Sequence, residues 1–511
     1  MDKPILIIDF GSQFTQLIAR RVRQAGVFSQ VLPHNASIDT IREMEPCGII
    51  LSGGPASLEE ATAPGCDPAV FGMGVPVLGI CYGMQLMAHT LGGQVARSGK
   101  REYGLRQLSL DIKSALFSGL EAACNCWNSH AYQVTALPPG FSQTAATDTC
   151  PIAAMEDGER KLYGVQFHPE VTHSQQGMAI LTRFVRDICG CPGSWRMENY
   201  AASAVKEIKT AAGNGTVLLG LSGGVDSAVA AALIHQAIGG KLHCVFVDHG
   251  FMRKGEPEMV REVFTRHFPV SLTAVDASAR FFGKLNGIID PEEKRKVIGH
   301  EFVSVFREEA LKLGQLDHFA QGTIYPDVIE SGAAPGSAVI KSHHNVGGLP
   351  RELGFTSLIE PLRTLFKDEV RDLGRVLGLP EEMVKRQPFP GPGLAIRTLG
   401  ELTPEKVAIT RESDAILREE FDRSGFAKNA SQYFTVNTDI RSVGVMGDGR
   451  SYDTAVAIRV VTTDDFMTAD WARVPYDLLA QISRRITNEV PGVNRVLLDV
   501  TTKPPASIEW E

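Results

Sequence analysis

Near-continuous apolar segments recur along this chain, and each of them ends in a glycine-containing turn. Examples are PILIIDFGSQ (4–13), CGIILSGGP (47–55), PVLGICYGMQ (76–85) and TVLLGLSGG (216–224). Because these segments show no polar alternation, they predict strands that are buried on both faces, and helix-like sequence follows most of them. The pattern is typical of doubly wound α/β domains, in which helices cover both faces of a parallel sheet.

The pattern appears twice and predicts two domains of this kind. Strand and helix signals fill residues 1–194, with short strands predicted over about 94–150. They restart after the linker-like CGCPGSW (189–195) and continue over 195–387. The sequence therefore predicts two parallel-sheet domains, each with its sites at the carboxyl ends of the strands.

A third, different domain is predicted for residues 388–511. The segment RQPFPGPGLAIR (386–397) is too rich in proline and glycine for a helix or a central strand. After it come alternating β-branched segments and a predicted helix near 475–489. The predicted fold is therefore two doubly wound parallel-sheet domains followed by a smaller α+β domain, in agreement with a length of 511 residues.

Composition and charge disfavour several classes of partner. The formal net charge is −8, so the chain has no general attraction for nucleic acid or acidic lipid. No apolar run reaches the roughly 18 residues of a membrane span, and we expect no secretory leader. The cysteines number nine, an odd count, and their two close pairs are C-x-C rather than C-x-x-C. This indicates reduced thiols and a cytoplasmic protein.

A nucleophile is predicted in GICYGMQ, which places Cys81 in the pattern G-x-C-x-G. This pattern is typical of a nucleophile elbow, in which a strand turns sharply into a helix and small neighbours allow a strained backbone. The N-terminus of the following helix favours the thiolate form of such a cysteine. Backbone N–H groups of Tyr82, and of Gly53 and Gly54 in LSGGP, are candidates for an oxyanion hole.

A base for this cysteine is predicted in GVQFHPE, where His168 ends a strand and Glu170 follows to orient its ring. Taken alone, Cys81 is also consistent with a small core residue, and His168 with an ordinary loop histidine. The elbow, the G-G-P turn and F-H-P-E all occur within one α/β unit, and this combination favours a catalytic site over the structural alternative.

A second candidate site lies in GLSGGVDSAVAA (220–231), where a strand ends in small residues that open an alanine-rich helix. Bare N–H groups and the positive end of a helix bind phosphate in many proteins. The lysine of the usual P-loop, G-x-x-x-x-G-K-[ST], is missing, and Asp226 stands in the loop. A glycine-rich turn with an Asp/Ser helix cap is the alternative interpretation.

The motifs of the first domain, LSGGP, GICYGMQ and GVQFHPE, together resemble the class I glutamine amidotransferases. The resemblance implies that Cys81, His168 and Glu170 hydrolyse glutamine to glutamate and ammonia. It also implies that Gln85 lies at the bound glutamine.

The loop SGGVDS resembles the PP-loop of ATP pyrophosphatases, which cleave ATP between the α and β phosphates. On this resemblance the hydroxyls of Ser222 and Ser227 and the N–H groups of residues 223–225 surround the leaving pyrophosphate. Asp226 then either caps the helix or faces a Mg²⁺ ion that bridges the phosphates. Lys367 in LFKDEVR is the best candidate for an additional cation.

The next strand ends in VFVDHG (245–250), where the adenine and ribose of ATP are expected by the switch-point rule. For Asp248 in this segment, simple turn chemistry is an equally good interpretation. The predicted ATP-binding residues are Ser222, Gly223, Gly224, Val225, Asp226, Ser227, Ala228, Asp248 and Lys367.

Further motifs along the second half of the chain resemble the glutamine-hydrolysing GMP synthetases. They are QGTIYPDVIES, KSHHNVGGLP, EPLRTLFKDEVR, RQPFPGPGLAIR, RSVGVMGDGRSYD and KPPASIEWE. The resemblance covers essentially the whole chain. It implies that xanthosine 5′-monophosphate (XMP) is adenylylated at its C2 oxygen and that ammonia then displaces AMP to give GMP. It also implies a homodimer formed through the third domain.

The resemblance places XMP against the proline- and glycine-rich segment and the C-terminal motif. A proline-rich linker and a docked tail are the structural alternative for these two segments. The predicted XMP-binding residues are Pro390, Gly391, Lys503, Ile508 and Glu509.

One position departs from this family, which usually has Ser-His-Gly-Asp where the chain has SHAY (129–132). Tyr132 in place of the aspartate leaves open how glutamine, or the contact with the synthetase domain, is held there. The adjacent His343 and His344 point to opposite faces of an extended chain, so we interpret them as lid or substrate-loop residues rather than metal ligands.

Other functions fit parts of the chain less well, and the alternative kept open is another PP-loop amidating or thiolating enzyme. A sulfur transferase acting on tRNA would need a basic face and relay cysteines, whereas only Cys244 follows the loop. Glutamine-dependent NAD synthetase has a nitrilase-like glutaminase without a G-x-C-x-G elbow. A scaffold protein with a degenerate glutaminase would not require the intact Cys81, His168 and Glu170.

Overall fold

The computed structural model of the chain describes residues 3–60, 62–314, 316–330, 355–446, 449–463 and 468–511. The chain divides into two compact units, Met1–Tyr200 and Ala201–Glu511. In the described part of the chain, no helix is both long and apolar enough to cross a membrane. The predicted boundary between a second and a third domain, near residue 387, stays a prediction.

The first unit is built on a nine-stranded sheet with helices along its parallel part. Its strands are β1 (Ile5–Asp9), β2 (Ser29–Pro33), β3 (Gly48–Leu51), β4 (Val77–Ile80), β5 (Gln94–Leu110), β6 (Ala123–Ala136), β7 (Ser142–Ala146), β8 (Ala154–Asp157) and β9 (Leu162–Val165). Its helices are α1 (Thr15–Gln24), α2 (Ile38–Glu43), α3 (Tyr82–Thr90) and α4 (Gly177–Arg183).

The strand order is β2-β1-β3-β4-β9-β8-β7-β5-β6. The strands from β2 to β9 pair in parallel, and the remaining pairs are antiparallel. Because β3, β4 and β9 are neighbours and run in the same direction, the segments that follow them meet at one edge of the sheet. That edge carries the predicted nucleophile, base and glycine pair.

The strands predicted over about 94–150 are longer than expected. β5 has 17 residues and β6 has 14, and they pair with each other along an antiparallel ribbon. Glycines within β5 do not end the strand, because the register shifts between Arg97 and Glu102, around Gly99. Such an irregularity accommodates a glycine without breaking the pairing.

The second unit contains a five-stranded sheet in which all pairs are parallel. Its strands are β10 (Val217–Leu221), β11 (Leu242–Asp248), β12 (Ser271–Asp276), β13 (His318–Ala320) and β14 (Ser357–Ile359), in the order β12-β11-β10-β13-β14. The helices along this part of the chain are α5 (Met197–Ala212), α6 (Val225–Ile238), α7 (Glu256–Glu262), α8 (Ser278–Leu285), α9 (Pro291–Lys312), α10 (Tyr325–Glu330), α11 (Lys367–Val376) and α12 (Glu381–Val384). The central strand β10 leads into the predicted phosphate loop.

The C-terminal part of the second unit has its own mixed sheet, as predicted for an α+β region. Its elements are α13 (Pro404–Ser424), β15 (Gln432–Met446), β16 (Gly449–Thr462), β17 (Asp470–Trp471), α14 (Tyr476–Glu489) and β18 (Val493–Asp499). β16 pairs antiparallel with β15 and β17 and parallel with β18. Apolar side chains of both helices and of the sheet form one core, which includes Ile416, Phe421, Ile458 and Ile482.

Replacement of Leu219 tests the packing of β10, the buried strand that leads into the phosphate loop. It lies in β10, paired with Cys244 on one side and Ala320 on the other, and its side chain is fully buried. We expect Leu219→Ala to lower the free energy of unfolding by about 2–5 kcal/mol, measured by chemical denaturation followed by circular dichroism. Leu311→Ala, on an exposed face of α9, should change it by about 0.5 kcal/mol or less. Equal losses in the two variants would contradict this packing.

Candidate functional site

Cys81 lies between β4 and α3 with φ 52° and ψ −106°. An L-residue holds this left-handed conformation only where its surroundings impose it. The glycines on either side give the turn its space. A Cβ at Gly79 would lie 2.6 Å from the backbone of Gly83, and a Cβ at Gly83 would collide with the backbone oxygen of Leu51. The chain therefore makes at Cys81 the sharp strand-to-helix turn that the sequence pattern predicts.

His168 and Glu170 follow β9 and lie next to this turn. His168 Nδ1 and Glu170 Oε1 are 2.7 Å apart, and Cys81 lies close enough to the His168 ring to raise the pKa of the imidazole. The edge of the Phe14 ring packs against the imidazole, with ring centroids 5.2 Å apart. Arg21 Nε donates to the backbone oxygen of Glu170 at 2.9 Å. The structure thus brings together the three residues of the predicted triad.

The charge of His168 is set by its two partners. Burial by itself would lower the pKa of the imidazole, but the Glu170 carboxylate and then the Cys81 thiol raise it well above 6.5. These two neighbours therefore favour the protonated form of the ring. Because the folded pKa exceeds the unfolded one, this group stabilises the fold fully below about pH 6.5, and the stabilisation is lost as the pH rises through the folded pKa.

The predicted oxyanion residues lie beside the thiol and the imidazole. A Cβ at Gly53 would be 3.3 Å from His168 Cε1 and 3.8 Å from Cys81 Cβ, and a Cβ at Gly54 would be 2.8 Å from the backbone oxygen of Phe10. Tyr82 is the first residue of α3. Its hydroxyl donates to the Pro64 oxygen at 2.7 Å, and burial raises its pKa to about 12. Tyr82 therefore presents its backbone, and not its phenol, at this turn.

Gln85 is buried near the thiol, and its amide already has protein partners. Gln85 Nε2 donates to the Tyr132 backbone oxygen at 2.8 Å and to Gln166 Oε1 at 3.2 Å. Gln166 Nε2 in turn donates to Cys81 Sγ at 3.7 Å. Gln166 was not among the predicted site residues, although it lies in GVQFHPE, two positions before His168. The signal that could have found it is the period-two alternation of side chains in an extended segment, which places Gln166 on the same side as His168.

The second site is the loop between β10 and α6. Gly223 has φ +75°, and a Cβ there would lie 2.7 Å from Met252 Cε. The Ser222 and Ser227 hydroxyls are 3.1 Å apart, and Ser227 Oγ donates to the Gly224 oxygen at 3.1 Å. The predicted phosphate-binding residues therefore form one compact turn. Val225 and Ala228 lie within the first turn of α6, and both are buried.

Of the two roles considered for Asp226, capping of the helix is wrong. The N-cap residue of α6 is Gly224, without a side-chain cap, because Asp226 lies two positions into the helix. Its Oδ2 is instead 2.5 Å from Lys367 Nζ at the start of α11. The predicted cation thus reaches the loop. Asp248 Oδ1 accepts a hydrogen bond from Gly250 N at 2.9 Å, which is the turn chemistry considered for it.

The predicted XMP-binding residues of the C-terminal segment are docked, not frayed. Glu509 accepts two hydrogen bonds from Arg397, at 3.0 and 2.7 Å. Ile508 is buried against Phe434 and its neighbours. Lys503 pairs with Ala469 in an isolated β-bridge. The docked tail considered as an alternative is therefore present, and binding of XMP by these residues stays a prediction.

Pro390 and Gly391 follow Phe389, whose ring is surrounded by guanidinium groups. Arg253 lies 4.5 Å, Arg386 5.1 Å and Arg397 5.1 Å from its centroid. As described above, Arg397 also donates hydrogen bonds to Glu509. One arginine side chain therefore contacts both this segment and the C-terminal tail. A Cβ at Gly391 would meet no heavy atom within 4 Å.

Sequence reasoning singled out none of these three arginines, and two of them have further contacts. Arg386 donates to the Gly223 backbone oxygen and makes two bonds of 2.8 Å with Glu256. Arg253 is buried, and burial is the main reason that its pKa is lowered to about 10. The sequence signal for a role in phosphate binding was their position alone: Arg253 comes just after VFVDHG and Arg386 just before QPFPGPG. Basic residues next to strand ends and glycine-rich turns are candidates for binding phosphate.

Three motifs fall partly or wholly outside the described residues, the first being QGTIYPDVIES, whose last residue is 331. KSHHNVGGLP (341–350), with His343 and His344, lies outside them, as do residues 447–448 of RSVGVMGDGRSYD. The lid or substrate-loop role predicted for the two histidines stays a prediction.

The chain matches three family models along its length. Residues 6–188 match the model described as glutamine amidotransferase class-I. Residues 197–263, which include the loop after β10, match the model for NAD synthase. Residues 419–510 match the model for the GMP synthase C terminal domain.

Similar proteins cover the whole chain. A protein of Acetivibrio thermocellus named GMP synthase [glutamine-hydrolyzing] is 57% identical over 507 residues, 99% of both chains. Proteins with the same name are 57% identical in Geobacillus kaustophilus, over 99% of both chains, and 55% identical in Heliobacterium modesticaldum, over 100% of both chains. The similarity therefore extends across both compact units.

The protonation of His168 can be measured directly. We expect its ring to titrate well above pH 6.5 in the intact protein, followed by NMR of labelled histidine, because Glu170 and Cys81 favour the charged form. Glu170→Gln should lower this pKa, since the neutral amide no longer stabilises the imidazolium. His267→Gln, in another unit, serves to assign a resonance without affecting His168. An unchanged pKa in Glu170→Gln would contradict the geometry described.

Proposed function

We propose that this chain synthesises GMP from XMP, ATP and glutamine, because it belongs to the family of glutamine-hydrolysing GMP synthases. The observation that carries the proposal is the pairing of two sites in one chain. The first unit holds Cys81 beside His168, which is hydrogen-bonded to Glu170, and the second holds a compact PP-loop that a lysine reaches. An ammonia-producing site and an ATP-cleaving site are what an amidating ligase requires.

The first site is proposed to release ammonia from glutamine. The Cys81 thiolate attacks the amide carbon, and the negative oxygen of the tetrahedral intermediate binds backbone N–H groups of Gly53, Gly54 and Tyr82. His168 donates its proton to the leaving nitrogen, so that ammonia departs and a thioester remains. Water then attacks the thioester with His168 as base, and glutamate leaves. Gln85 contributes to the wall against which the substrate lies.

The second site is proposed to activate XMP. The C2 oxygen of XMP attacks the α-phosphorus of ATP, and pyrophosphate leaves. Ammonia then attacks C2, loses its excess proton, and AMP departs with the C2 oxygen to leave GMP. The Ser222 and Ser227 hydroxyls and the N–H groups of residues 223–225 bind the pyrophosphate in this mechanism. Lys367 exchanges its partner Asp226 for phosphate oxygens.

A magnesium ion fits this site next to Asp226. Asp226 Oδ1 is buried and has no hydrogen-bond partner among the described residues. Mg²⁺ in such enzymes is held by one or two carboxylates together with phosphate oxygens of the substrate. When bound, the ion would offset charge on the leaving pyrophosphate.

The predicted domain 388–511 is proposed to bind XMP. Gly391 leaves open space beside its backbone, and the Lys503 side chain would supply a positive charge for the nucleotide phosphate. Glu509 is held in place by Arg397, and Ile508 and Pro390 supply apolar walls. A docked tail is suitable for this role because its side chains are already ordered.

The same C-terminal region is proposed to form a homodimer in the cytoplasm. Its sheet exposes apolar side chains that a second copy would cover, namely Val443, Val445, Tyr452 and Leu497. Free thiols such as Cys47, Cys66 and Cys81 are consistent with a reducing compartment. We expect neither nucleic acid nor a membrane among its partners.

Replacement of the nucleophile tests the division of labour between the sites. We expect Cys81→Ala to abolish GMP synthesis from glutamine and to retain synthesis from ammonium salts above pH 8, because only the source of ammonia is lost. GMP and AMP are measured by chromatography after incubation with XMP, ATP and Mg²⁺.

The control is Cys47→Ala, since Cys47 is a partly exposed thiol that donates to the Lys3 oxygen. It should keep both activities. A Cys81→Ala enzyme that is folded but inactive with ammonium would show that the two reactions are not separable in this way.

A further inference from the structure

A line of hydrogen bonds connects the Cys81 thiol to a carboxylate at the surface of the first unit. As described above, Gln166 donates a hydrogen bond to the thiol, and Gln85 donates to both Gln166 and the Tyr132 backbone oxygen. Tyr132 continues the line, because its hydroxyl donates to Glu59 Oε2 at 2.9 Å. Gln85 and Gln166 are buried, whereas Glu59 is exposed. The line therefore runs from the reacting atom to solvent.

The Tyr132–Glu59 bond joins the two segments on either side of the nucleophile. Tyr132 lies in β6, three residues after Ser129, whose backbone oxygen is 4.0 Å from Cys81 Sγ. Glu59 lies six residues after Gly53, whose backbone is against Cys81 and His168. Glu59 is thus hydrogen-bonded to the strand whose Ser129 oxygen lies next to the thiol.

Substrate chemistry suggests a role for an exposed carboxylate that is bound to the segment next to the thiol. Free glutamine carries its α-ammonium at the opposite end from the amide that Cys81 attacks, so the ammonium projects outward when the amide reaches the thiol. An ammonium is best recognised by a charge-assisted hydrogen bond to a carboxylate. We propose that Glu59, positioned by Tyr132, binds the α-ammonium of glutamine, an inference that rests on the proposed glutaminase function.

Other carboxylates around the site are committed to different partners. Glu60 Oε1 accepts a hydrogen bond from Ser57 N at 3.2 Å within its own turn. Glu102 is buried and accepts a hydrogen bond of 2.6 Å from Thr147. Glu170 is bound to His168. Among these four carboxylates of the described residues, Glu59 is the one that combines exposure with a hydrogen bond to the segment next to the thiol.

The test compares glutamine with glutaramate, which is glutamine without its α-amino group. We expect Glu59→Gln to lower kcat/KM for glutamine about 5- to 50-fold, mainly through KM, since an exposed charged contact is lost. Hydrolysis of glutaramate should change by less than about 2-fold. Tyr132→Phe, which keeps the charge but removes its positioning bond, should lower kcat/KM for glutamine about 2- to 5-fold and again spare glutaramate.

Glu60→Gln is the matched control and should leave the kinetics with both substrates as in the natural protein. Equal losses of kcat/KM with glutamine and glutaramate in Glu59→Gln would show a merely structural role and overturn the inference. So would an unchanged KM for glutamine. If the natural protein hydrolyses no glutamine at all, the proposed function fails instead, and the two failures are thereby distinguished.

Discussion

Cys81 is held in a left-handed backbone conformation by the strands around it. Its N–H donates to the Val165 oxygen at 2.7 Å, so the turn is tied to the end of β9 as well as to β4. The same parallel pairing places the segments after β3, β4 and β9 side by side, and these segments carry the glycine pair, the thiol and the imidazole. Without the glycines at 79 and 83 the turn could not form, and the thiol would not face His168.

Charged groups at both sites have partners within the protein. Glu170 is bound to His168, and this pair has to persist through the reaction because it keeps the imidazole charged and oriented. Asp226 and Lys367 form a half-exposed pair, which is weak enough to be exchanged when a phosphate arrives. One pair therefore has a fixed role in positioning, and the other is suited to exchange.

Local patterns predicted the strand ends, the elbow and the phosphate loop, because each depends on a few consecutive residues. The resemblance to known families is confirmed by relatives of full length. Lys367, which was predicted as the additional cation, does reach the loop. Contacts between distant segments were beyond local patterns. Arg386 and Gly223 are separated by 163 positions, and Tyr132 reaches Glu59 across 73. The long ribbon of β5 and β6 was missed because irregular pairing tolerates its glycines.

In the proposed mechanism ATP activates the C2 oxygen of XMP at the PP-loop, so that this oxygen leaves with AMP. XMP labelled with ¹⁸O at C2, incubated with ATP, Mg²⁺ and glutamine, tests it directly by mass spectrometry of the AMP formed. We expect the label in the phosphate group of AMP, in proportion to the GMP produced. Label found in inorganic phosphate or in water, with unlabelled AMP, would contradict it.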